Sequence, residues 1–226
     1  MAKKRTRAII FDMDGVLMDT SQSYTIAVKK TAEFFLGKML NIEEVEEIKN
    51  REMNDCDAAE LLIQNNGGDF RKQVIIKKFQ EYFQGRNFDG LIKKEKCLID
   101  EKTLKNLRKY DLAILTKRTK EEAKFTLEKS KIKKYFKDIL TIESIKEQKP
   151  SPECLLKIIK NLNVNSNEAL YVGSNLLDLS TAKNAGIPFI GVPPSNSDRA
   201  LLKNILKSEG AEIVLNNINE LAKKII

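Results

Sequence analysis

The stretch Ile9-Ile-Phe-Asp-Met-Asp-Gly-Val-Leu-Met-Asp-Thr20 decides the interpretation of this chain. It continues an apolar run from Ala8, and a short apolar run that ends near a glycine is typical of a buried strand. Two carboxylates, Asp12 and Asp14, follow the apolar residues, and Gly15 allows a tight turn after them. Parallel sheets present ligands at the carboxyl ends of their strands. Asp12 and Asp14 are therefore predicted to lie at the functional edge of an α/β sheet.

Two carboxylates this close together repel each other, and one of them takes up a proton unless a cation lies nearby. Oxygen ligands of this kind favour a hard cation such as Mg²⁺. The pair could also divide a reaction between them. Asp12 could attack an electrophilic phosphorus, and Asp14 could protonate the leaving oxygen and later deprotonate water. Alone, the Asp-x-Asp-Gly motif is only modestly specific for this chemistry. An ordinary strand end followed by a turn, with two acids exposed to solvent, can have the same residues.

Composition excludes several kinds of chemistry. The 226 residues include no histidine, which removes histidine-activated nucleophiles and histidine metal sites. Cys56, Cys97 and Cys154 are odd in number and far apart, which favours a reduced cytoplasmic protein over a disulfide scaffold or a zinc site. The chain has no run of 18 apolar residues, so no membrane partner is expected.

The net charge of +8, from 40 basic and 32 acidic residues, is compatible with nucleic-acid binding. The lysines, however, are dispersed along the chain and form no basic block with interleaved aromatic residues. We interpret them as a solvated surface and expect no nucleic-acid partner. The sequence leaves both a monomer and a homodimer open, because amphipathic helices bury their apolar faces in either case.

The order of predicted elements indicates an α/β fold. Strands are predicted at Arg7–Asp12, Leu112–Thr116, Ile139–Ile142, Ala169–Val172, Ile187–Val192 and Glu212–Leu215. From Leu112 onward they alternate with predicted helices at Lys120–Ser130, Pro152–Leu162, Asn175–Ala185 and Asp198–Ser208. This alternation predicts a doubly wound, Rossmann-like parallel sheet with helices on both faces.

Residues 20–94 interrupt the alternation with helical patterns only. Helices are predicted at Ser21–Leu36, Ile42–Lys49, Cys56–Gln64 and Phe70–Phe83, with a turn at Gly67-Gly68. We therefore predict a Rossmann-like core domain of residues 1–19 and 95–226, and a small all-helical cap domain of residues 20–94. The two connections would serve as hinges.

Two more motifs follow predicted strands or turns. Thr116 ends the second strand, where a hydroxyl can bind a phosphate oxygen, and Lys117 and Arg118 could add positive charge. Thr119 begins a capping-box pattern, so we assign the capping role to Thr119 and leave Thr116 for the ligand. Lys149 lies in a proline-rich segment that forbids helix and could hold the ammonium group near the carboxylates. Lys146 is a competing candidate.

The fourth motif is Val172-Gly-Ser-Asn-Leu-Leu-Asp178, after another apolar strand. Asp178 could complete the oxygen shell of a metal ion. The same residues also fit an ordinary helix start, because Asn175 would be an N-cap and Asp178 an acid in the first turn.

Together the four motifs resemble those of the haloacid dehalogenase superfamily, in the same order and over nearly the whole chain. The helical insertion is similar to the cap of the phosphoglycolate phosphatase and beta-phosphoglucomutase branch. The resemblance implies a hydrolase, a phosphatase for a small phosphorylated metabolite. Asp12 would form an aspartyl-phosphate and Asp14 would be the acid/base. Thr116, Lys117 and Lys149 would bind the phosphoryl group.

The resemblance also implies Mg²⁺ bound by Asp12, by the main-chain carbonyl of Asp14 and by a carboxylate of the fourth motif. This chain departs from the family there, because Ser174 stands where the phosphatases usually have aspartate. Asp178 is the remaining acidic candidate, and we expect weaker metal binding than in those enzymes.

Two other functions stay open. The pattern Ser174-Asn175-x-x-Asp178 is similar to that of metal-free 2-haloacid dehalogenases, although those enzymes have no acid at the position of Asp14. A weakly active binding protein with the same fold is the second. The sequence does not name the substrate, and the polar segment 50–55 is our candidate for a substrate-facing loop.

Overall fold

Strand β1 (Ala8–Asp12) is buried along its whole length and lies inside a six-stranded parallel sheet. The computed structural model describes residues 6–49, 53–195 and 197–225. The chain divides into two compact units, Met1–Asp19 with Lys96–Ile226, and Thr20–Glu95. The first is called the core unit below, and the second the helical unit.

Besides β1, the sheet of the core unit contains β4 (Asp111–Leu115), β5 (Asp138–Leu140), β6 (Ala169–Gly173), β7 (Phe189–Gly191) and β8 (Ile213–Val214). Its strand order is β5-β4-β1-β6-β7-β8. The chain adds β4 and β5 on one side of β1 and β6 to β8 on the other, so the topological switch point lies at β1. Open α/β sheets bind ligands outside the carboxyl ends of the strands at this point.

Both faces of the sheet are covered, as apolar strands of a parallel sheet require. Along β1, Ile9 and Phe11 belong to one buried apolar cluster, whereas Ala8 and Ile10 belong to another. This alternation follows from the two-residue period of a strand. The sheet therefore lies between two apolar cores. Its faces are covered, so chemistry can take place only at the ends of its strands.

Helices and a minor strand pair complete the core unit. The helices are α5 (Glu101–Asn106), α6 (Lys120–Lys129), α7 (Glu153–Asn161), α8 (Leu176–Ala185), α9 (Arg199–Ser208) and α10 (Leu221–Lys224). A two-stranded antiparallel sheet pairs β2 (Met18–Asp19) with β3 (Lys96–Cys97). Short 3₁₀ turns lie at Lys133–Tyr135, Ile142–Ser144, Ser166–Glu168 and Ile218–Glu220.

The helical unit is built around α1 (Ser23–Leu36), which packs against the other three helices. These are α2 (Ile42–Lys49), α3 (Asp55–Asn65) and α4 (Lys72–Phe83), and 3₁₀ turns follow at Arg86–Phe88 and Leu91–Lys94. The ring of Tyr24 stacks on that of Phe83 at 4.5 Å between centroids, which joins the first helix to the last. None of the described helices is long and apolar enough to cross a membrane.

The predicted fold class is confirmed. The six predicted strands each coincide with an observed strand to within two residues, and so do the eight predicted helices. Helices α5 and α10 and the pair β2–β3 were not expected, because elements of six, four and two residues are too short to carry a periodic pattern.

Candidate active site

The site residues follow three adjacent strands of the core unit. Asp12 is the last residue of β1, Thr116 comes directly after β4, and Ser174 comes directly after β6. Since β4 and β6 both pair with β1 in parallel, the carboxyl ends of all three meet at the switch point. Gly15 turns the chain away from this edge with φ of 79°, in the left-handed region that favours glycine.

Lys149 lies at the centre of the site. Its Nζ is 2.8 Å from Oδ1 of Asp12 and 2.6 Å from Oδ1 of Asp178, and its side chain is 5% exposed. The competing Lys146 is exposed to solvent. Lys149 is therefore the lysine that faces the carboxylates.

Asp178 is held from three sides. Its Oδ1 accepts from Lys149 and from the hydroxyl of Tyr171 at 2.8 Å, and its Oδ2 accepts from the main-chain N–H of Ser174 at 2.8 Å. Gly173 makes this approach possible, because a Cβ there would lie 2.4 Å from Cβ of Asp178. Asn175 caps α8 by accepting the main-chain N–H of Asp178 at 2.9 Å.

Asp14 forms an ion pair with Arg118. Both Nε and Nη2 of Arg118 approach Oδ1 of Asp14, at 2.8 and 2.7 Å. Nη1 of the same guanidinium donates to Oγ1 of Thr126 on α6 at 2.8 Å. The Arg118 side chain is 1% exposed, compared with 28% for Asp14, so the cation is buried and the carboxylate reaches the solvent side.

Thr116 and Thr119 are used differently. The capping box at Thr119 is present, with Oγ1 accepting the main-chain N–H of Glu122 at 3.2 Å. Thr116 is buried, and its Oγ1 accepts the main-chain N–H of Arg118 at 3.1 Å. Its hydroxyl therefore supports the turn after β4 and keeps its proton and one lone pair for a ligand.

A cavity of about 130 Å³ opens among these groups within the core unit. Its lining includes Asp12, Asp14, Lys117, Lys149, Asn175 and Asp178. Thr116 is not among the described residues that line it. Pockets that hold a whole small molecule usually exceed about 300 Å³. This cavity therefore has room for a small reacting group, not for a complete metabolite.

Burial raises the pKa of Asp12 to about 7, and the negative charges of Asp178 and Asp14 act in the same direction, whereas Lys149 opposes them. Burial also acts to raise the pKa of Asp178, but Lys149 and the hydrogen bonds from Ser174 and Tyr171 outweigh it and lower that pKa. Burial acts to lower the pKa of Lys149, and the two carboxylates raise it well above its usual value. The central pair is thus a lysinium with Asp178, and Asp12 is the group that titrates.

The predicted magnesium ligands Asp12, Asp14 and Asp178 line one cavity, but Asp178 already has protein partners. Both oxygens of Asp178 already accept protein hydrogen bonds, and its Oδ1 lies beside an ammonium group. The Ser174 hydroxyl, a neutral group, donates to the main-chain carbonyl of Asp14 at 3.4 Å. In the described part of the chain, no three acidic, cysteine or histidine side chains are grouped to hold a metal. The metal role predicted for Asp178 therefore does not fit its contacts.

Two site residues carried no functional role in the sequence interpretation. Arg118 was considered only as additional charge, and Tyr171 only as part of an apolar strand. No local signal indicates the contact of Arg118 with Asp14, because it depends on the packing of α6. No sequence signal indicates that Tyr171 contacts Asp178, because that contact depends on the path of the chain from β6 to α8.

The segment 50–55, predicted to face the substrate, begins outside the described residues, which resume at Met53. Asn54 is described, and its Oδ1 accepts the main-chain N–H of Asp57 at 3.0 Å as the N-cap of α3. This part of the segment therefore starts a helix, and its role towards a substrate stays a prediction.

Comparison with known proteins identifies the class. Residues 9–192 match the family of haloacid dehalogenase-like hydrolases. The chain belongs to this family and is a hydrolase.

Individual relatives share moderate sequence identity with this chain. The phosphorylated carbohydrates phosphatase of Thermotoga maritima is 30% identical over 87% of this chain and 90% of its own. The pyrophosphatase PpaX of Bacillus velezensis is 26% identical over 85% of each chain. A phosphoglycolate phosphatase predicted in Haemophilus somnus has a similar structure, with a TM-score of 0.80 over 97% of this chain and 98% of its own. At 16% identity, that likeness concerns the fold alone.

Proposed function

We propose that the protein hydrolyses small phosphorylated compounds through a phosphoryl-enzyme intermediate on Asp12. The observation that carries the proposal is the position of Asp12. It ends the switch-point strand, lines the cavity and lies 2.8 Å from a buried ammonium group. A carboxylate in this position can act as a nucleophile, and the adjacent cation can neutralise charge on an incoming phosphoryl group.

The proposed reaction has two steps. A carboxylate oxygen of Asp12 forms a bond to phosphorus as the bond from phosphorus to the leaving oxygen breaks. Water then attacks the aspartyl-phosphate, phosphate leaves, and the Asp12 carboxylate is restored. Asp14, which lines the same cavity, is the proton-transfer group for the leaving oxygen and for the attacking water.

Positive charge for the transferring group comes from the chain itself. Lys149 and Lys117 both line the cavity. Preorganised cations of this kind stabilise the charge that develops on phosphoryl oxygens. Enzymes of this architecture that use Mg²⁺ gain further charge from the ion. The predicted carboxylate set is incomplete here, because Ser174 stands where the phosphatases usually have aspartate.

Substrate selection is assigned to groups outside the cavity. The cavity accommodates the reacting group only, so the remainder of the substrate has to be recognised elsewhere. The helical unit is our candidate for that role. Two relatives whose names specify phosphorylated carbohydrates and pyrophosphate support a phosphorylated substrate without choosing between an ester and an anhydride.

The test is release of phosphate from 4-nitrophenyl phosphate, with Mg²⁺ and with a chelator, by the wild type and by Asp12→Asn. We expect turnover that the substitution abolishes. Asp111→Asn is the matched control, because Asp111 begins β4 and pairs with Ala8, at the opposite end of the strands from Asp12. Full activity in Asp12→Asn would refute the proposal.

One observation favours a second candidate, a metal-free 2-haloacid dehalogenase. Ser174, Asn175 and Asp178 form a hydrogen-bonded group, and its carboxylate, that of Asp178, is already paired with Lys149. In this reaction, Asp12 would displace halide from carbon. Incubation with 2-chloropropionate and a chelator, followed by a halide assay, tests it. Absence of halide after prolonged incubation would eliminate this candidate.

A further inference from the structure

Large apolar side chains are exposed at one end of the helical unit. They are Phe34, Met39, Phe70 and Val74, with exposed fractions of 54%, 81%, 40% and 45%, and they are called the tip surface below. Helix α1 begins close to Thr20, where the chain enters the helical unit, and its 14 residues span about 21 Å. The tip surface lies at the carboxyl end of α1 and is therefore remote from this connection.

Contacts between side chains join the parts of the tip surface. The ring centroid of Phe35 lies 5.2 Å from that of Phe34 and 4.7 Å from that of Phe70, so it links α1 to the segment before α4. Nζ of Lys78 lies 4.0 Å from the centre of the Phe34 ring. Val74 lies one turn before Lys78 on α4 and therefore on the same side of that helix.

The turn that carries Met39 is fixed against the end of α1. Gly37 ends the helix in the left-handed conformation, with φ of 64°. The main-chain N–H of Leu40 then donates to Oε1 of Glu33 at 2.9 Å, which holds the turn beside the last residues of α1. Leu40 is buried, whereas Met39 extends into solvent. Single exposed apolar residues are common on protein surfaces, but a connected group of them is typical of an interaction site.

Positive charge surrounds the tip surface. Residues 29–40 and 69–78 include seven basic and two acidic residues, so they carry five of the eight net positive charges of the whole chain. Four of these cations have exposed side chains and are called the rim cations: Lys30, Lys38, Arg71 and Lys77. Lysines that are dispersed along the sequence are thus brought next to aromatic residues by the packing of α1 against α4. Like charges oppose pairing of this surface with a second copy and favour an anionic partner.

The kind of cation distinguishes between anionic partners. Interfaces between proteins are enriched in arginine and depleted in lysine, and three of the four rim cations are lysines. Lysines beside apolar side chains are typical of attachment to anionic lipids. The alkyl part of a lysine can lie along apolar surface while its ammonium group meets a headgroup. Attachment to one face of a bilayer needs no spanning helix.

We propose that the tip surface binds membranes that contain anionic lipids. The four apolar side chains enter the boundary between headgroups and acyl chains, and the rim cations meet the headgroups. This binding function is separate from the reaction at Asp12, so neither depends on the other.

The first test is co-sedimentation of the protein with vesicles of phosphatidylglycerol and phosphatidylcholine in equal parts, compared with vesicles of phosphatidylcholine alone. We expect binding to the anionic vesicles to be at least about tenfold tighter and to weaken as salt is added. Lys38→Glu should weaken it at least about fivefold, since each basic residue near the lipid contributes about that factor. Lys160→Glu makes the same charge change at an exposed lysine of α7 and, as the matched control, should have little effect.

The second test measures insertion by fluorescence, because the chain contains no tryptophan. Met39→Trp introduces a single reporter, whose emission should shift to shorter wavelength with anionic vesicles as the ring leaves water. Leu201→Trp, at a leucine of α9 that is 56% exposed, is the matched control and should show no shift. Both substitutions change exposed side chains, so both proteins should fold as the wild type does.

Four results would overturn the proposal. The first is a lack of binding to anionic vesicles at low salt. The second is equal weakening by Lys38→Glu and Lys160→Glu, which would assign binding to the total charge of the protein. The third is an unshifted emission of Met39→Trp together with binding of polyglutamate that Lys38→Glu weakens, which would assign the surface to an acidic protein. The fourth is a lipid-free dimer in analytical ultracentrifugation that Met39→Gln dissociates, which would assign the surface to a second copy.

Discussion

Asp12 and Asp178 are bridged by one ammonium group, with Nζ of Lys149 2.8 Å from the first carboxylate and 2.6 Å from the second. The two acids are not equivalent. Asp178 also accepts from Tyr171 and from the main chain of Ser174, whereas Asp12 accepts from Lys149. Asp178 therefore anchors the lysine, and Asp12 is the acid that remains available to react.

Replacing the bridge should destabilise the fold. Lys149→Met leaves the buried Asp178 carboxylate without its countercharge, which typically costs about 3–5 kcal/mol. Denaturant unfolding at pH 7 measures the loss, and phosphate release should disappear with it. Lys146→Met, at an exposed lysine, should change the free energy of unfolding by less than about 0.5 kcal/mol. Equal stability of the two variants would contradict the buried bridge.

The stability of Asp12→Asn should depend on pH in a defined direction. The pKa of Asp12 rises from 3.8 to about 7 on folding, mainly through burial. As pH rises, Asp12 therefore loses its proton in the unfolded chain before it does so in the folded protein. Between about pH 4 and about pH 7 the folded state binds more protons, so the free energy of unfolding of the wild type falls as pH rises. Asp12→Asn removes this loss and should be the more stable protein above pH 7, by on the order of 1–4 kcal/mol.

Thermal melts of both proteins between pH 4 and pH 8.5 test this. The difference in stability between Asp12→Asn and the wild type should grow from about pH 4 to about pH 7 and then become constant. A wild type that is more stable than Asp12→Asn at pH 8 would show that the site holds Asp12 as an anion without strain. In the same window, the wild-type kcat/KM should rise with pH, because the nucleophile is the ionised form.

Restoring a carboxylate at position 174 should strengthen metal binding. The Ser174 hydroxyl lies 3.4 Å from the main-chain carbonyl of Asp14, so an aspartate there would add a charged oxygen beside a neutral one. We expect Ser174→Asp to bind Mn²⁺, as a probe for Mg²⁺, at least about tenfold more tightly, or ~1.4 kcal/mol. Titration followed by electron paramagnetic resonance measures it, with Ser174→Asn as the uncharged control. Equal Mn²⁺ affinities of Ser174→Asp and Ser174→Asn would show that residue 174 does not bind the metal.

Gly173 should not tolerate a side chain. A Cβ at this position would lie 2.4 Å from Cβ of Asp178, too close for either residue to stay in place. Gly173→Ala should cost about 1–3 kcal/mol and disturb the anchor of Lys149, so that phosphate release falls as well. Gly37→Ala is the comparison. Its Cβ meets no atom within 4 Å, and with φ of 64° it should cost only about 1 kcal/mol, from backbone conformation.

Much of the fold could be predicted because its signals are local. Apolar runs such as that of β1 end in turn residues, and the capping box at Thr119 fixes the start of α6 within four residues of sequence. Alternation of strands and helices then leaves few topologies, since crossovers between parallel strands are right-handed. The helices and strands that escaped prediction, α5, α10 and the pair β2–β3, are those too short to show a period.

The site was predictable only as a set of candidates. Asp12, Asp14, Lys149 and Asp178 could be recognised by their position after strands or in a proline-rich turn. Their partners could not, because a side-chain contact between distant residues has no local signature. Arg118 could equally well have faced solvent, as Lys146 does, and its burial against Asp14 depends on the packing of α6.

The sequence by itself determined the doubly wound sheet, the helical insertion and the acids at the end of β1, because periodicity and turn residues act over short distances. Tertiary structure alone decided which charges neutralise each other. It assigned Lys149 to Asp12 and Asp178, Arg118 to Asp14, and both oxygens of Asp178 to protein donors. The physical reason is burial: once water is excluded, each charge takes the nearest partner that the packed strands and helices supply.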